Sequence, residues 1–306
     1  MSIMPIAAIN EQVQTDTAAF LRKCDADFDR RLTNIAKAIR DNREERPIIL
    51  LSGPSGSGKT TTAKMIEHKL DAWGFETHTL SMDDFFRPLT AEQMELGVQG
   101  KFDFESPDRV DIPLLNEKLE DILACKPTVL PRFRFEDSTR INGQTLARKP
   151  GELVILEGIH ALNPSVITLP ESRTERLYIS VRTRLELADG TLLHPKRIRL
   201  MRRMLRDQRS RKRSPEETLR MFRSVQRGEE RYITPFKERA DFPIDTFCPY
   251  EVSVYSGLLG TALAGIEGHH VTAEIRRALA EFITVPPAPV AADALVREFI
   301  GGSIYD

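Results

Sequence analysis

Residues 48–62 read Ile48-Ile49-Leu50-Leu51-Ser52-Gly53-Pro54-Ser55-Gly56-Ser57-Gly58-Lys59-Thr60-Thr61-Thr62. Four aliphatic residues in a row predict a strand buried on both faces, as in parallel sheets. The run then enters G-x-x-x-x-G-K-T, the phosphate-binding loop, from Gly53 to Thr60. Its glycines let successive N–H groups turn inward as an anion nest, and the following helix aims its positive end at the same point. Lys59 is expected to reach the β- and γ-phosphates and the Thr60 hydroxyl to bind Mg²⁺. Gly53, Pro54, Ser55, Gly56, Ser57, Gly58, Lys59, Thr60 and Thr61 are therefore the candidate nucleotide-binding residues.

The flanks agree with this reading. Ala63, Ile66, Leu70 and Trp73 recur at helical spacing, and Gly74 ends the helix. Thr77–Leu80 predicts a second strand that delivers Asp83 to the carboxyl edge of the sheet, where open α/β folds bind ligands. A carboxylate there orients an acceptor hydroxyl and takes its proton. Asp84 is adjacent and, on an extended segment, faces the other way. Leu153-Val154-Ile155-Leu156-Glu157 is a buried strand ending in an acid, the position from which a carboxylate helps hold Mg²⁺. Leu177–Val181 and Phe242–Phe247 read as further strands. Strands alternating with helices around a phosphate loop predict an α/β three-layer sandwich with a mostly parallel sheet.

Residues 196–213 are dense in Lys and Arg, with Asp207 the only acid. Arg199, Arg203, Arg206 and Arg213 fall on one predicted helical face, and Ile198, Met201 and Leu205 on another. No aromatic lies between Arg182 and Met221, so a nucleic-acid stacking platform is missing. The pattern suits a lid that closes over a triphosphate and neutralises charge during transfer. Phe102, Phe104, Phe133 and Phe135 alternate with charged residues, as a wall against a flat ring would, with Glu105 or Arg140 placed for sugar hydroxyls. Asn142-Gly143 predicts a tight turn within 128–149.

Leu21, Phe28, Leu32, Ile35 and Ile39 predict an amphipathic helix capped near Asp16. The expected organisation is a helical arm over 1–46, a kinase-like domain over 47–250 and a helical extension over 251–306. The extension contains a stiff Pro286–Pro289 linker and the closing Gly301-Gly302, whose place relative to the site stays open. The chain of 306 residues is 41% apolar and 29% charged with a net charge of −1, which argues against a general nucleic-acid coat. No apolar run is long enough to span a membrane, and Met1–Asn10 lacks the basic region of a signal peptide. Cys24, Cys125 and Cys248 lack metal spacing and read as free thiols in a reducing cytoplasm.

Taken together, these stretches resemble the uridine kinase and phosphoribulokinase superfamily, most closely its longer uridine-kinase-like members. The resemblance is carried by Gly53–Thr62, Leu80–Phe86, Phe102–Asp108, Pro131–Arg140, Val154–His160 and Arg202–Asp207. Two later stretches, Ser224–Glu230 and Leu295–Ser303, are similar to the longer subgroup. The resemblance implies ATP-dependent phosphorylation of the 5′-hydroxyl of uridine or cytidine. It implies Asp83 as base, with Lys59, Arg203 and Arg206 in catalysis. Thr60 and Glu157 would hold Mg²⁺, with Arg203, Arg206, Arg211 and Arg213 among the lid arginines on the nucleotide. Phe104, Glu105, Phe133 and Arg140 would surround a nucleoside. Such kinases usually carry Tyr-Asp-Phe and then His where this chain has Phe133-Arg134-Phe135 and Ser138, and Asp where it has Glu105. The lost polar readout relaxes base discrimination. Rival readings are a kinase for another hydroxyl compound, such as an unusual nucleoside or a sugar phosphate, and an ATP-binding regulator that transfers nothing. The expected partner is a small molecule and not nucleic acid or membrane, with homo-oligomerisation left open.

Overall fold

The computed structural model describes residues 2–99, 101–266 and 269–305. The chain opens with β1 (Ile3–Pro5) and the long helix α1 (Ile6–Asn42), followed by β2 (Ile48–Ser52), α2 (Lys59–Ala72), β3 (Thr77–Ser81), α3 (Ala91–Val98) and α4 (Ile112–Leu123). Next come the hairpin β4 (Thr128–Arg134) and β5 (Thr139–Leu146), then β6 (Leu153–Glu157), β7 (Thr174–Ser180), β8 (Arg184–Glu186) and β9 (Leu192–Leu193). The remainder is α5 (Pro195–Arg211), α6 (Pro215–Tyr232), β10 (Phe242–Asp245), α7 (Glu251–Ala264), α8 (His270–Glu281) and α9 (Arg297–Ile300).

Five strands form the central sheet in the order β10-β7-β2-β6-β3, and each neighbouring pair is parallel. β2 and β6 are buried along their whole length, so both sheet faces must be covered. The pleat sorts the aliphatic run: Ile48 and Leu50 pack with Leu115, Leu119 and Ile122 of α4. Ile49 and Leu51 pack on the other face with Ala63, Ile66 and Leu70 of α2 and with Leu32, Ala36 and Ile39 of α1. A third core joins Ile6, Ile9 and Val13 of α1 to Ile198, Met201 and Leu205 of α5 and to α7 and α8. Among the described residues no helix is long and apolar enough to cross a membrane.

Two local expectations are corrected. The Asp16 cap exists: its backbone is extended (φ −160°) and its carboxylate accepts the Ala19 N–H at 2.9 Å. It marks a kink, however, because a helical turn already runs from Ile6, held by the apolar Ile6, Ile9 and Val13. The turn of the 128–149 hairpin lies at residues 135–138, where Ser138 takes a positive φ of 52°. Asn142-Gly143 sits inside β5, opposite a register shift between Val129 and Pro131. Pro131 lacks the N–H for a regular ladder, and a Cβ on Gly143 would lie 3.0 Å from the Leu130 carbonyl oxygen, so the glycine permits close approach instead of a reversal.

Candidate active site

The carboxyl ends of β2, β3, β6, β7 and β10 meet at one edge, and the phosphate loop leaves β2 there. Gly56 (φ 73°) and Gly58 (φ 88°) adopt backbone that L side chains avoid. A Cβ on Gly53 would come within 2.1 Å of the Ile179 carbonyl oxygen, so the loop also needs glycine to lie against β7. Lys59 spans the loop, donating to the Pro54 carbonyl at 3.3 Å. Thr60 Oγ1 and Ser81 Oγ both donate to Glu157 Oε1, at 3.4 and 3.1 Å. Burial pushes Glu157 up to about 7, with Lys59 opposing and the negative charge of Asp83 adding to the rise. A buried acid beside a hydroxyl at the base of an anion nest is a donor set that suits Mg²⁺.

Asp83 lies on a 3₁₀ turn over Met82–Phe85, not on the extended segment expected, and Ser81 Oγ accepts the Asp83 N–H at 3.3 Å. The two acids still separate in use. Asp84 Oδ1 accepts the Phe133 N–H at 3.1 Å and so anchors β4. Asp83 belongs to the cleft: burial raises its proton affinity, while the charges of Lys59, Arg211 and Arg206 hold it down.

α5 lies directly on the loop. Arg203 Nη1 donates to Ser55 Oγ at 3.0 Å. Arg199 reaches the Ser55 carbonyl at 2.9 Å and forms a two-pronged pair with Glu229 at 2.6 and 2.7 Å. Asp207, fully buried, gathers Arg203, Arg206 and Arg211 at 3.4, 3.9 and 3.0 Å. Arg213 departs from expectation. The helix ends at Arg211, Lys212 turns left-handed (φ 53°), and Arg213 bonds the Asp207 carbonyl through its own N–H.

Phe133 is buried and meets Phe86 and Phe135 edge-on at 5.9 and 5.1 Å, whereas Phe135 is 66% exposed. Phe104 packs edge-on against Phe102 at 5.0 Å and is 42% exposed. Glu105 packs where only glycine fits: a Cβ on Gly228 of α6 would lie 2.2 Å from that of Glu105. Burial lifts Glu105 to about 7, opposed first by Arg203 and then by Lys59 on the phosphate side. Arg140 is held by Asp111 at 2.8 Å.

Sequence reasoning missed two arginines. Arg109 is buried, lies over Phe86 at 5.1 Å, donates to the Arg87 carbonyl at 2.8 Å and feels the charge of Asp83. Arg202 is fully buried, pairs with Glu251 at 2.6 and 3.0 Å, and donates to the Gly56 and Thr246 carbonyls at 3.2 and 2.6 Å. A signal for Arg202 was present. It sits at i+4 from Ile198 and i−3 from Leu205, on the apolar stripe of its helix. Nothing comparable marks Arg109 in the sequence.

Ser57 Oγ, Arg203 Nε and Arg206 Nε are buried around the loop without hydrogen bonds. Surplus donors converging on a nest from loop and helix fit a polyphosphate, and this arrangement, on this sheet, makes the chain a P-loop kinase. The sequence profile of the Phosphoribulokinase / Uridine kinase family matches residues 48–253, and the chain belongs to that family. It is similar to the uridine kinase of Lactobacillus helveticus, with 31% identity over 199 residues, 64% of this chain and 85% of the relative. It is also similar to uridine-cytidine kinase 2-B of Danio rerio, at 30% over 200 residues, 63% of this chain and 70% of the relative. Among solved structures, D-glycerate 3-kinase from Cryptococcus neoformans var. grubii is similar over 74% of this chain and 89% of its own, with 15% identity and a TM-score of 0.42.

Proposed function

We propose that the chain transfers the γ-phosphate of ATP to the 5′-hydroxyl of a pyrimidine nucleoside, uridine or cytidine. The observation that carries this reading is Asp83, a carboxylate under the field of Lys59, Arg206 and Arg211 across from the phosphate loop. A protein that only binds ATP has no use for it. In this mechanism Asp83 accepts a hydrogen bond from the acceptor hydroxyl and takes its proton as the new O–P bond forms. Burial raises the proton affinity of the carboxylate on balance, and the nearby cations oppose that rise. Lys59 and the loop N–H groups hold the β- and γ-phosphates, and Arg203, Arg206 and Arg211 donate to the transferring group. Thr60 and Glu157 would hold Mg²⁺, which neutralises phosphate charge when bound. Phe133 offers a face to the base, and Glu105, with Phe104 nearby, serves the ribose hydroxyls.

One set of observations favours a broader acceptor range. Ser138 Oγ is engaged by the Leu89 N–H at 3.1 Å, Arg140 is engaged by Asp111, and Phe133 has no hydroxyl. Base-edge readout from this wall is therefore weak. The relatives named uridine kinase support a nucleoside acceptor. The test is an ATP-coupled panel of uridine, cytidine, purine nucleosides and sugar phosphates with wild type and Asp83→Asn. Uridine or cytidine turnover is expected, and Asp83→Asn is expected to lower kcat by about 10²–10⁴-fold. Turnover of a non-nucleoside alone overturns the nucleoside assignment. Transfer to no acceptor favours the regulator.

A further inference from the structure

The C-terminal segment folds back onto the phosphate loop. A Cβ on Gly58 would meet Leu295 Cδ1 at 2.8 Å, and the Arg202 guanidinium stacks on the Phe299 ring at 4.8 Å. Between them, the Glu298 carbonyl accepts a hydrogen bond from Arg209 of α5 at 3.1 Å. Arg297 ties the turn together by donating to the Pro287, Val290 and Gly301 carbonyls. The segment is thus fixed on both sides of Glu298. Its carboxylate atom Oε2 is buried and makes no hydrogen bond. A buried carboxylate oxygen without a donor is costly, and a native site keeps one when something else supplies the donor.

The charge of Glu298 ties it to the cleft. The charge of Glu298 reaches Glu157 at the base of the cleft, and Arg202 and Arg206 on the loop side of α5. Arg203 Nε and Arg206 Nε are likewise buried without hydrogen bonds. An acceptor lacking a donor, and donors held only by ion pairs to Asp207 at 3.4 and 3.9 Å, line one region. A ligand that satisfies both carries anionic oxygens and at least one hydrogen-bond donor.

We infer that Glu298 is a nucleotide-binding residue: its carboxylate accepts a hydrogen bond from bound MgATP, either from a ribose hydroxyl or from a metal-bound water. The inference rests on the kinase reading above. It adds a residue from outside the 48–253 family match, so the C-terminal segment becomes a wall of the nucleotide site.

The experiment is calorimetric titration of MgATP into the full chain and into Glu298→Gln and Glu298→Asp, with thermal melts of each without ligand. Glu298→Gln is nearly isosteric and should melt with the wild type while binding MgATP about tenfold more weakly. Glu298→Asp should recover part of the loss. Repeating the titration with 2′-deoxyATP and 3′-deoxyATP, and across Mg²⁺ concentrations, separates the two donors. If a ribose hydroxyl is the partner, one deoxy analogue binds the wild type as weakly as ATP binds Glu298→Gln. If a metal-bound water is the partner, the deficit of the variant shrinks as Mg²⁺ rises. Equal MgATP affinity in wild type and Glu298→Gln overturns the role of Glu298 while leaving the kinase reading intact. Failure of the wild type to bind MgATP overturns both.

Discussion

Two arginines one turn apart on α5 lead different lives. Arg202 has every prong occupied, by Glu251, Thr246 and the Gly56 carbonyl, and it is fully buried. Arg206 is enclosed too, yet its Nε makes no hydrogen bond: Asp207 stands off at 3.9 Å, and Glu298 acts on it through charge. A polar group with all its partners belongs to the architecture, whereas one buried without them is waiting for a ligand. The same division runs through the site. Asp84 is committed to the Phe133 N–H and Asp83 is not; Arg199 is committed to Glu229, and Arg203 Nε faces Asp207 at 3.4 Å without a hydrogen bond.

The comparison is broken most directly by exchanging the two losses. Arg206→Ala should lower kcat by about 10³-fold or more, the range in which an arginine on a transferring phosphoryl group acts. Its melting temperature should stay near wild type, because no hydrogen bond of the folded chain is lost at Nε. Steady-state kinetics with thermal melts read both quantities, and a large drop in melting temperature would assign Arg206 to the architecture. Arg202→Met should do the opposite. Glu251 would be left as an uncompensated buried charge, at a cost of about 3–5 kcal/mol. In a chain of this size that lowers Tm by on the order of 10 °C. Chemical denaturation measures it, and an unchanged midpoint would mean that the buried pair contributes no net stability.

This contrast also explains what could be read from the sequence. The sheet was legible because Ile48–Leu51 and Leu153–Leu156 are apolar on both faces, and only a covered parallel sheet uses such strands. The phosphate loop was legible because glycine, lysine and threonine are each demanded by a separate contact at fixed spacing. Asp83 was legible from its place after a strand, since strand ends share one edge. That Arg213 lies beyond α5 was not legible, because where the helix stops is decided by a left-handed Lys212. The roles of Arg109 and Glu298 depend on segments distant in sequence meeting at the cleft, and no local pattern encodes such a meeting. Gly228 belongs with them: its lack of a side chain makes sense only once Glu105 is seen against it.

Glu105 offers the finest test of the division between architecture and ligand site. It is a carboxylate buried beside Gly228, and burial lifts it from its ordinary value of 4.5 to about 7, with Arg203 only partly opposing. The folded chain therefore holds a proton on Glu105 that the unfolded chain releases near pH 4.5. The resulting contribution to stability is fully present below that value and is lost as pH rises through about 7. Melts of the unliganded protein should accordingly lose this increment between those limits. Glu105→Gln, neutral throughout, should flatten that part of the profile. Bound nucleoside should flatten it in the wild type as well, because hydroxyl donors on the sugar stabilise the ionised carboxylate. A wild-type profile that keeps its slope when saturated with nucleoside would place Glu105 with Arg202 and Asp84, among the groups that build the cleft and do not read what enters it.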